Sequence, residues 1–226
     1  LRNTLLYNIV FIILGIVLPV ALAIMINNIY SKRKSKTYQT MMFLPHFMSW
    51  VVVSYFVYAF LSPERGLMNS ILQWMGKDPV RWYSEAKYWP YILVFMQVWK
   101  TLGYNMVVYL ASITGIDTSL YEAAVLDGAS KMQQARYITL PSLKPIIIMM
   151  FILSVGRIFS SDFGLFYQVP MNNGLLFNAT NTLDTYVYRG LLELNDIGRA
   201  SAACFIQSVL GFVLVWGANA LTRKVD

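Results

Sequence analysis

The chain has 226 residues, 57% of them hydrophobic and only 13% charged, with a mean hydropathy of +0.52 and a net charge of +7. A soluble domain carries about 25% charged residues, so this composition excludes an ordinary soluble globule. Cys204 is the single cysteine and His46 the single histidine, which excludes an internal disulfide and a multi-histidine metal centre.

Crossing about 30 Å of hydrocarbon takes about 20 apolar residues. Five stretches have that character: residues 5–26, 41–61, 89–113, 145–167 and 200–221. The third is interrupted by Lys100 and the fourth contains Arg157 and Asp162. Helices are the expected form, because an open sheet would leave backbone groups unsatisfied in lipid. The expected fold is therefore all-α: a polytopic membrane protein with five transmembrane helices, one domain over residues 1–226. The first apolar core is too long for a cleavable signal peptide. Cys204 falls in the last span, where a small apolar core residue is the simple reading.

Basic residues set the topology. Lys32, Arg33, Lys34 and Lys36 lie between the first two spans, Lys131, Arg136 and Lys144 between the third and fourth, and Arg223 and Lys224 after the fifth. Alternation puts all three groups on one side, and the positive-inside rule makes that side the cytoplasm. The opposite side carries Arg65, Lys77, Arg81, Lys87, Arg189 and Arg199, interspersed with Glu64, Asp78, Glu85, Asp184, Glu193 and Asp196. The charge excess thus has a topological explanation and needs no nucleic-acid partner. This topology puts Leu1 outside and Asp226 inside, so a further helix before Leu1 is expected in the full protein.

The first outer loop, 62–88, ends in the aromatic group Trp82, Tyr83, Tyr88, Trp89 and Tyr91, which marks an outer interface. In the third span, Gln97, Lys100 and Tyr104 recur at i, i+3 and i+7 and form one polar stripe on an apolar helix. An ionisable residue inside a span is a functional hypothesis by default. Gln97, Lys100, Tyr104, Asn105, Arg157, Ser161 and Asp162 are accordingly candidates to line a translocation path, with pairing across helices as the competing structural explanation. Arg157 and Asp162 are five residues apart, which on a regular helix points them about 140° away from each other. Gly156, Ser160, Ser161 and Gly164 allow a kink that alters this.

Between the third and fourth spans, residues 117–141 form a cytoplasmic segment of soluble character. Ser119 and Glu122 have the spacing of a capping box, reinforced by Asp117 and Thr118. Tyr121, Val125, Gly128 and Met132 recur at helical spacing, and Ala123, Ala124, Gly128 and Ala129 keep the surface thin. Gly128 disfavours a continuous helix by about 1 kcal/mol. A compact helix-turn-helix follows, shaped for docking in a partner's groove. The second outer loop, 168–199, is Asn-rich and then reads LDTYVYRGLLELND, a candidate short helix on the outer face.

No phosphate-binding loop of the G-x4-G-K-[ST] type, no H-E-x-x-H and no G-x-S-x-G occurs. On composition alone, a secondary transporter or channel subunit fits as well as a subunit of a larger transporter.

The residues that separate these possibilities are Glu122-Ala123-Ala124, Gly128, Ile138, Leu140 and Pro141. They match at every spacing the E-A-A-x3-G-x9-I-x-L-P motif of binding-protein-dependent ABC permeases. The stretches RNTL (2–5), FLPHFMSWVVV (43–53), WKTLGYNMVVYLASITGID (99–117) and DTYVYR (184–189) resemble the LplB-like oligosaccharide branch. The resemblance implies a type I importer in which two permease subunits, here two different ones, form the pathway in a bacterial inner membrane. It implies that Tyr121, Glu122, Ala123, Ala124, Asp127, Gly128 and Ala129 belong to a coupling helix seated in a groove of a cytoplasmic ATPase dimer. The partner ATPases bind ATP and magnesium, and this chain holds no cofactor of its own. An extracellular solute-binding protein delivers the sugar, and the C-terminus is cytoplasmic. Amino-acid, peptide and metal permeases share the motif, so a non-sugar solute is the alternative within the family.

Overall fold

The computed structural model describes residues 1–64 and 66–222, the last five of them by backbone alone. Arg65, Arg223 and Lys224, which enter the charge reading above, lie outside the described residues. Among the described residues the regular structure is entirely helical.

Helix α1 runs Arg2–Asn27, about 39 Å at the standard rise. Ser31 then caps α2, Lys32–Phe43, its Oγ accepting from the Lys34 N–H at 3.4 Å. The apolar run expected to span from 41 to 61 is broken. A 3₁₀ turn occupies Leu44–Phe47, where Pro45 offers no N–H, and Ser49 caps a new helix, α3, Trp50–Leu61, by accepting from the Val52 N–H. The outer loop carries α4, Leu67–Trp74. Helix α5, Trp89–Thr114, again has 26 residues. The segment after it folds as α6, Thr118–Leu126, and the short α7, Lys131–Gln134. A π-helical stretch, Ala135–Thr139, leads into α8, Leu140–Val155. The remainder holds a second π-helical stretch, Gly164–Gln168, then α9, Phe177–Thr180, α10, Leu183–Leu192, and α11, Ile197–Thr222. Helix α10 is the short helix expected from LDTYVYRGLLELND.

Among the described residues, three helical runs are long and apolar enough to cross a membrane: Arg2–Asn27, Lys131–Val155 and Ile197–Gly217. The broken pair Lys32–Phe47 and Trp50–Leu61 makes a fourth if counted as one span. Helix α5, where a span over 89–113 is expected, has the length but not the same apolarity, because its polar stripe interrupts it. The fourth expected span, 145–167, is shifted. Its helix begins earlier and ends at Val155, so Arg157, Ser161 and Asp162 lie beyond it. Side chains replace the helical bonds there: Asn8 donates to the carbonyls of Ile158 and Ser160, and Asp184 accepts the Ser161 N–H at 2.6 Å.

The chain's contacts group into two compact units. One comprises Ile12–Phe47 and Val98–Ser154. Its core is Val20, Ala23 and Ile26 of α1, Met106, Tyr109, Leu110 and Ile113 of α5, and Leu143 of α8. The α5 members follow the i, i+3, i+4, i+7 spacing of a single helix face. Gly103 lets α2 approach α5 closely, since a Cβ there would lie 2.0 Å from the Met42 carbonyl oxygen.

The other unit comprises Leu1–Phe11, Met48–Gln97 and the chain from Val155 on. Trp89, Leu93, Leu165, Phe166, Val169 and Leu176 are fully buried in it. Its loops are held by amide side chains. Asn69 bonds Pro63, Val80 and Trp82, and Asn3 donates to the carbonyls of Asn178 and Asn181. The bonds to Pro63 and Val80 satisfy loop backbone, and those from Asn3 satisfy carbonyls in and just after α9.

Candidate functional site

The segment 117–141 folds as the expected helix-turn-helix, but its caps differ from the expected ones. Asp117, not Ser119, caps α6, accepting the Ser119 N–H at 2.9 Å. Thr118 is already the first helical residue, so Ser119 lies inside the helix and its own N–H needs an acceptor. That bond holds the Asp117 carboxyl below the usual carboxylate range. The capping box occurs one helix later, on α7, where Ser130 and Gln133 bond each other's backbone N–H groups.

Gly128 ends α6. Its φ is +78°, and its N–H donates to the Val125 carbonyl while that of Ala129 donates to the Ala124 carbonyl at 2.8 Å. These are the paired bonds of a Schellman turn, in which the residue after the cap takes the left-handed conformation that glycine reaches without penalty. The expected face Tyr121–Val125–Gly128–Met132 therefore stops at Val125, because the helix has already turned at Gly128.

What this leaves on the surface includes several large apolar side chains. Leu126 is 88% exposed and Met132 77%, with Leu120 and Val125 also exposed. Glu122, Ala123, Asp127 and Gly128 are exposed, while Ala124 and Ala129 are half-buried. Tyr121 faces the other way, its hydroxyl 2.9 Å from the Thr139 hydroxyl. Gln134 is buried and donates to the Ala129 carbonyl, which fixes the turn on its inner side.

The polar positions expected to line a pathway divide between the two units, Lys100, Tyr104 and Asn105 in one and Gln97, Arg157, Ser161 and Asp162 in the other. Lys100 Nζ donates to the carbonyls of His46 at 2.9 Å and Pro45 at 3.4 Å, at the end of the 3₁₀ turn that breaks the second apolar run. Tyr104 stacks on the His46 ring, with centroids 4.6 Å apart and planes 12° from parallel. Asn105 lies across Gly15, where an added Cβ would meet its amide at 3.9 Å. Gln97 shares their helix but belongs to the other unit.

Arg157 is exposed beyond the end of α8. Ser161 bonds Asp184 and Thr182, and Asp184 also accepts from Gln207 of α11. Asp162 turns elsewhere, accepting the Trp50 indole N–H at 2.8 Å and capping the following π-helical stretch through the Leu165 N–H. The structure thus separates three neighbours in sequence into different environments.

Two polar centres escape the sequence reading. Trp50 gives no signal, since a single tryptophan in an apolar run looks like a span residue. Arg189 sits in the DTYVYR stretch but counts there only as an outer-side charge. It is only 6% exposed, donates from Nε to Asn172 and from NH1 to Asn181, and lies 3.9 Å over the Phe177 ring. Burial lowers its pKa, and the amides and ring replace part of the lost hydration.

Residues 12–226 match the model of the binding-protein-dependent transport system inner membrane component. The chain belongs to this family. It is 31% identical over 229 residues to the polygalacturonan/rhamnogalacturonan transport system permease protein YteP of Bacillus subtilis, covering 99% of this chain and 69% of that protein. Protein LplB of the same organism is 29% identical over 226 residues, covering 100% of this chain and 70% of the relative. The crystal structure of a bacterial ABC transporter that imports the acidic polysaccharide alginate superposes with a TM-score of 0.94 at 34% identity, covering 100% of this chain and 78% of that one. A second structure, of the alginate transporter with its pentasaccharide-bound periplasmic protein, gives 0.93. The fold is that of an ABC transporter permease, and the chain is an inner membrane component.

Proposed function

We propose that this permease is one of two transmembrane subunits of an ATP-driven importer for an oligosaccharide. An extracellular solute-binding protein delivers the sugar, and a cytoplasmic ATPase dimer that binds ATP and magnesium drives alternating access. In this reading residues 1–226 are one transmembrane domain, with 117–141 and the C-terminus in the cytoplasm. Its partner permease is a different chain.

The observation that carries the reading is the surface of α6. A nine-residue helix, capped at both ends by local bonds, displays Leu126 and Val125 to solvent at 88% and 57% exposure. A short, preformed helix with an apolar tip is suited to a groove in another protein. Glu122, Ala123, Ala124, Asp127, Gly128 and Ala129 form this contact, while Tyr121 acts from the inner side by tying the helix to Thr139, with the family motif in support.

The sugar assignment rests on relatives. YteP is a polygalacturonan/rhamnogalacturonan permease, the superposed transporter imports alginate, and a further relative, 30% identical over 220 residues, is the arabinooligosaccharide permease AraP of Halalkalibacterium halodurans. Of the candidate pathway residues, Gln97, Arg157, Ser161 and Asp162 keep a pathway role in this reading together with Tyr104 and Asn105, whereas Lys100 acts chiefly on the helix break.

The test is reconstitution with the co-encoded ATPase, second permease and binding protein. Oligosaccharide uptake into proteoliposomes that requires ATP and the binding protein supports the proposal. Ion-driven uptake by this chain alone refutes it.

A further inference from the structure

A pocket of about 200 Å³ opens beside the coupling segment, within the unit that contains α6. Asn27 and Asn28, at the end of α1, form one wall, and Tyr121, Lys131, Gln134 and Thr139 form the other. The walls are built rather than incidental. The Tyr121–Thr139 hydroxyl bond closes one side, and Gln134, only 4% exposed, is locked by its bond to Ala129 and accepts from Lys131 Nζ at 3.3 Å.

The pocket's electrostatics are one-sided. Lys131 is its cation, and no aspartate or glutamate is among its described lining residues. Lys32, Arg33, Lys34 and Lys36, all exposed, begin two residues beyond the lining residue Tyr30, and Arg136 follows the lining residue Ala135. Glu122 and Asp127 are on α6 but not in the lining. Asn27 ends a helix long enough to span the bilayer and Asn28 follows it, so in the proposed topology the pocket falls at cytoplasmic headgroup depth. Four or more basic residues just cytoplasmic of a span attract anionic lipid, and basic pockets between transmembrane helices hold its headgroups.

We propose that this pocket binds a phosphodiester anion, carried by an acidic membrane phospholipid, with Lys131 as its charge partner and the Asn27 and Asn28 amides as hydrogen-bond donors. An occupied pocket braces α6 and α7 against the end of α1, which makes coupling sensitive to the lipid around the permease. The inference rests on the cytoplasmic placement of the segment, but its binding readout needs no transport.

The full chain, purified in a neutral maltoside detergent, is titrated with short-chain phosphatidylglycerol, short-chain phosphatidylcholine or inorganic phosphate, and retained adducts are counted by native mass spectrometry. One phosphatidylglycerol per chain is expected, retained in preference to phosphatidylcholine. Lys131→Gln weakens it about fivefold, the effect of removing one basic side chain near an anionic surface, while Lys131→Arg preserves it. Lys144→Gln, a basic position outside the lining, leaves it unchanged. Asn28→Asp, on the exposed rim, supplies a second variant that weakens binding. Inorganic phosphate retained with the same Lys131 dependence also supports the anion site and identifies a soluble ligand. Equal retention of phosphatidylcholine, equal losses at Lys131 and Lys144, or no retained adduct overturns the proposal. If ATP-driven uptake fails while the adduct stays, the transport reading falls and the site stands.

Discussion

The hydroxyls of Tyr121 and Thr139 meet at 2.9 Å and join α6, the helix that displays Val125 and Leu126, to the π-helical stretch at the head of α8. Pro141 lies just past that stretch, as the second residue of α8. With no N–H of its own and a ring that crowds the carbonyl four residues back, it favours a widened turn there. The polar tie and the π-helical stretch together link a surface helix to a span.

This tie predicts a mechanical phenotype. Tyr121→Phe removes the shared hydrogen bond, a loss of about 1 kcal/mol, and Thr139→Val removes it together with the 3.4 Å bond from Thr139 Oγ1 to the Gln134 carbonyl. Both variants are expected to reach the membrane in normal amount yet transport less per ATP hydrolysed. Because both break the same contact, the double variant should be little worse than Thr139→Val alone. Ratios of uptake to hydrolysis in proteoliposomes measure this, and additive losses would show that the hydroxyls act separately.

Gly128 tests the Schellman turn. A Cβ there meets nothing within 4 Å, so the cost of substitution is conformational rather than steric. Gly128→Ala places an L-residue in the left-handed region at roughly 1–2 kcal/mol, while Gly128→Asn pays less because asparagine tolerates that conformation. Expected activity therefore follows the order glycine, asparagine, alanine. Gly128→Asp adds charge at the docking face and is expected to leave the permease in the membrane without its ATPase. Normal co-purification and wild-type uptake in Gly128→Asp would contradict the docking role.

The motif segment was the most legible part of the chain because its signals are local. A glycine at the end of an alanine-rich run, a polar residue at each cap and a proline at the return all act within a few residues of themselves. Even there, Ser119 and Asp117 competed for one cap, and only the position of the first helical turn decided between them. The spans were legible as apolar runs, but their ends were not. Val155 ends α8 because Asn8 and Asp184, about 150 residues before and about 30 after, take the backbone groups that follow, and no local pattern carries that. Trp50 and Arg189 were missed for the same reason, since their partners are distant in sequence or scattered among loop amides.

Lys100 separates a structural charge from a substrate contact. Its ammonium supplies donors to the Pro45 and His46 carbonyls where the helix has stopped. A hydrogen bond from a charged group is worth about 1.5–3 kcal/mol. Lys100→Met is therefore expected to lower the melting temperature of the purified permease and the maximal uptake rate, with the apparent KM for the sugar unchanged. A KM that rises while thermal stability holds would return Lys100 to the pathway.

The Trp50–Asp162 pair is enforced by Gly164. A Cβ on Gly164 would approach the Trp50 ring to 2.2 Å, so only glycine lets the indole lie against the π-helical stretch while its N–H reaches the Asp162 carboxylate. Gly164→Ala must push the ring aside, at a cost of about 1–3 kcal/mol for overpacking, and it breaks the indole–carboxylate bond as well. Trp50→Phe removes the bond but keeps an aromatic ring, so it should cost less than Gly164→Ala. In a Trp50→Ala background the obstacle is gone, and adding Gly164→Ala should then cost little. Thermal unfolding of the four variants completes the cycle. Equal penalties for Gly164→Ala with and without the indole would mean that the glycine serves the backbone alone and that Trp50 is free to reorient.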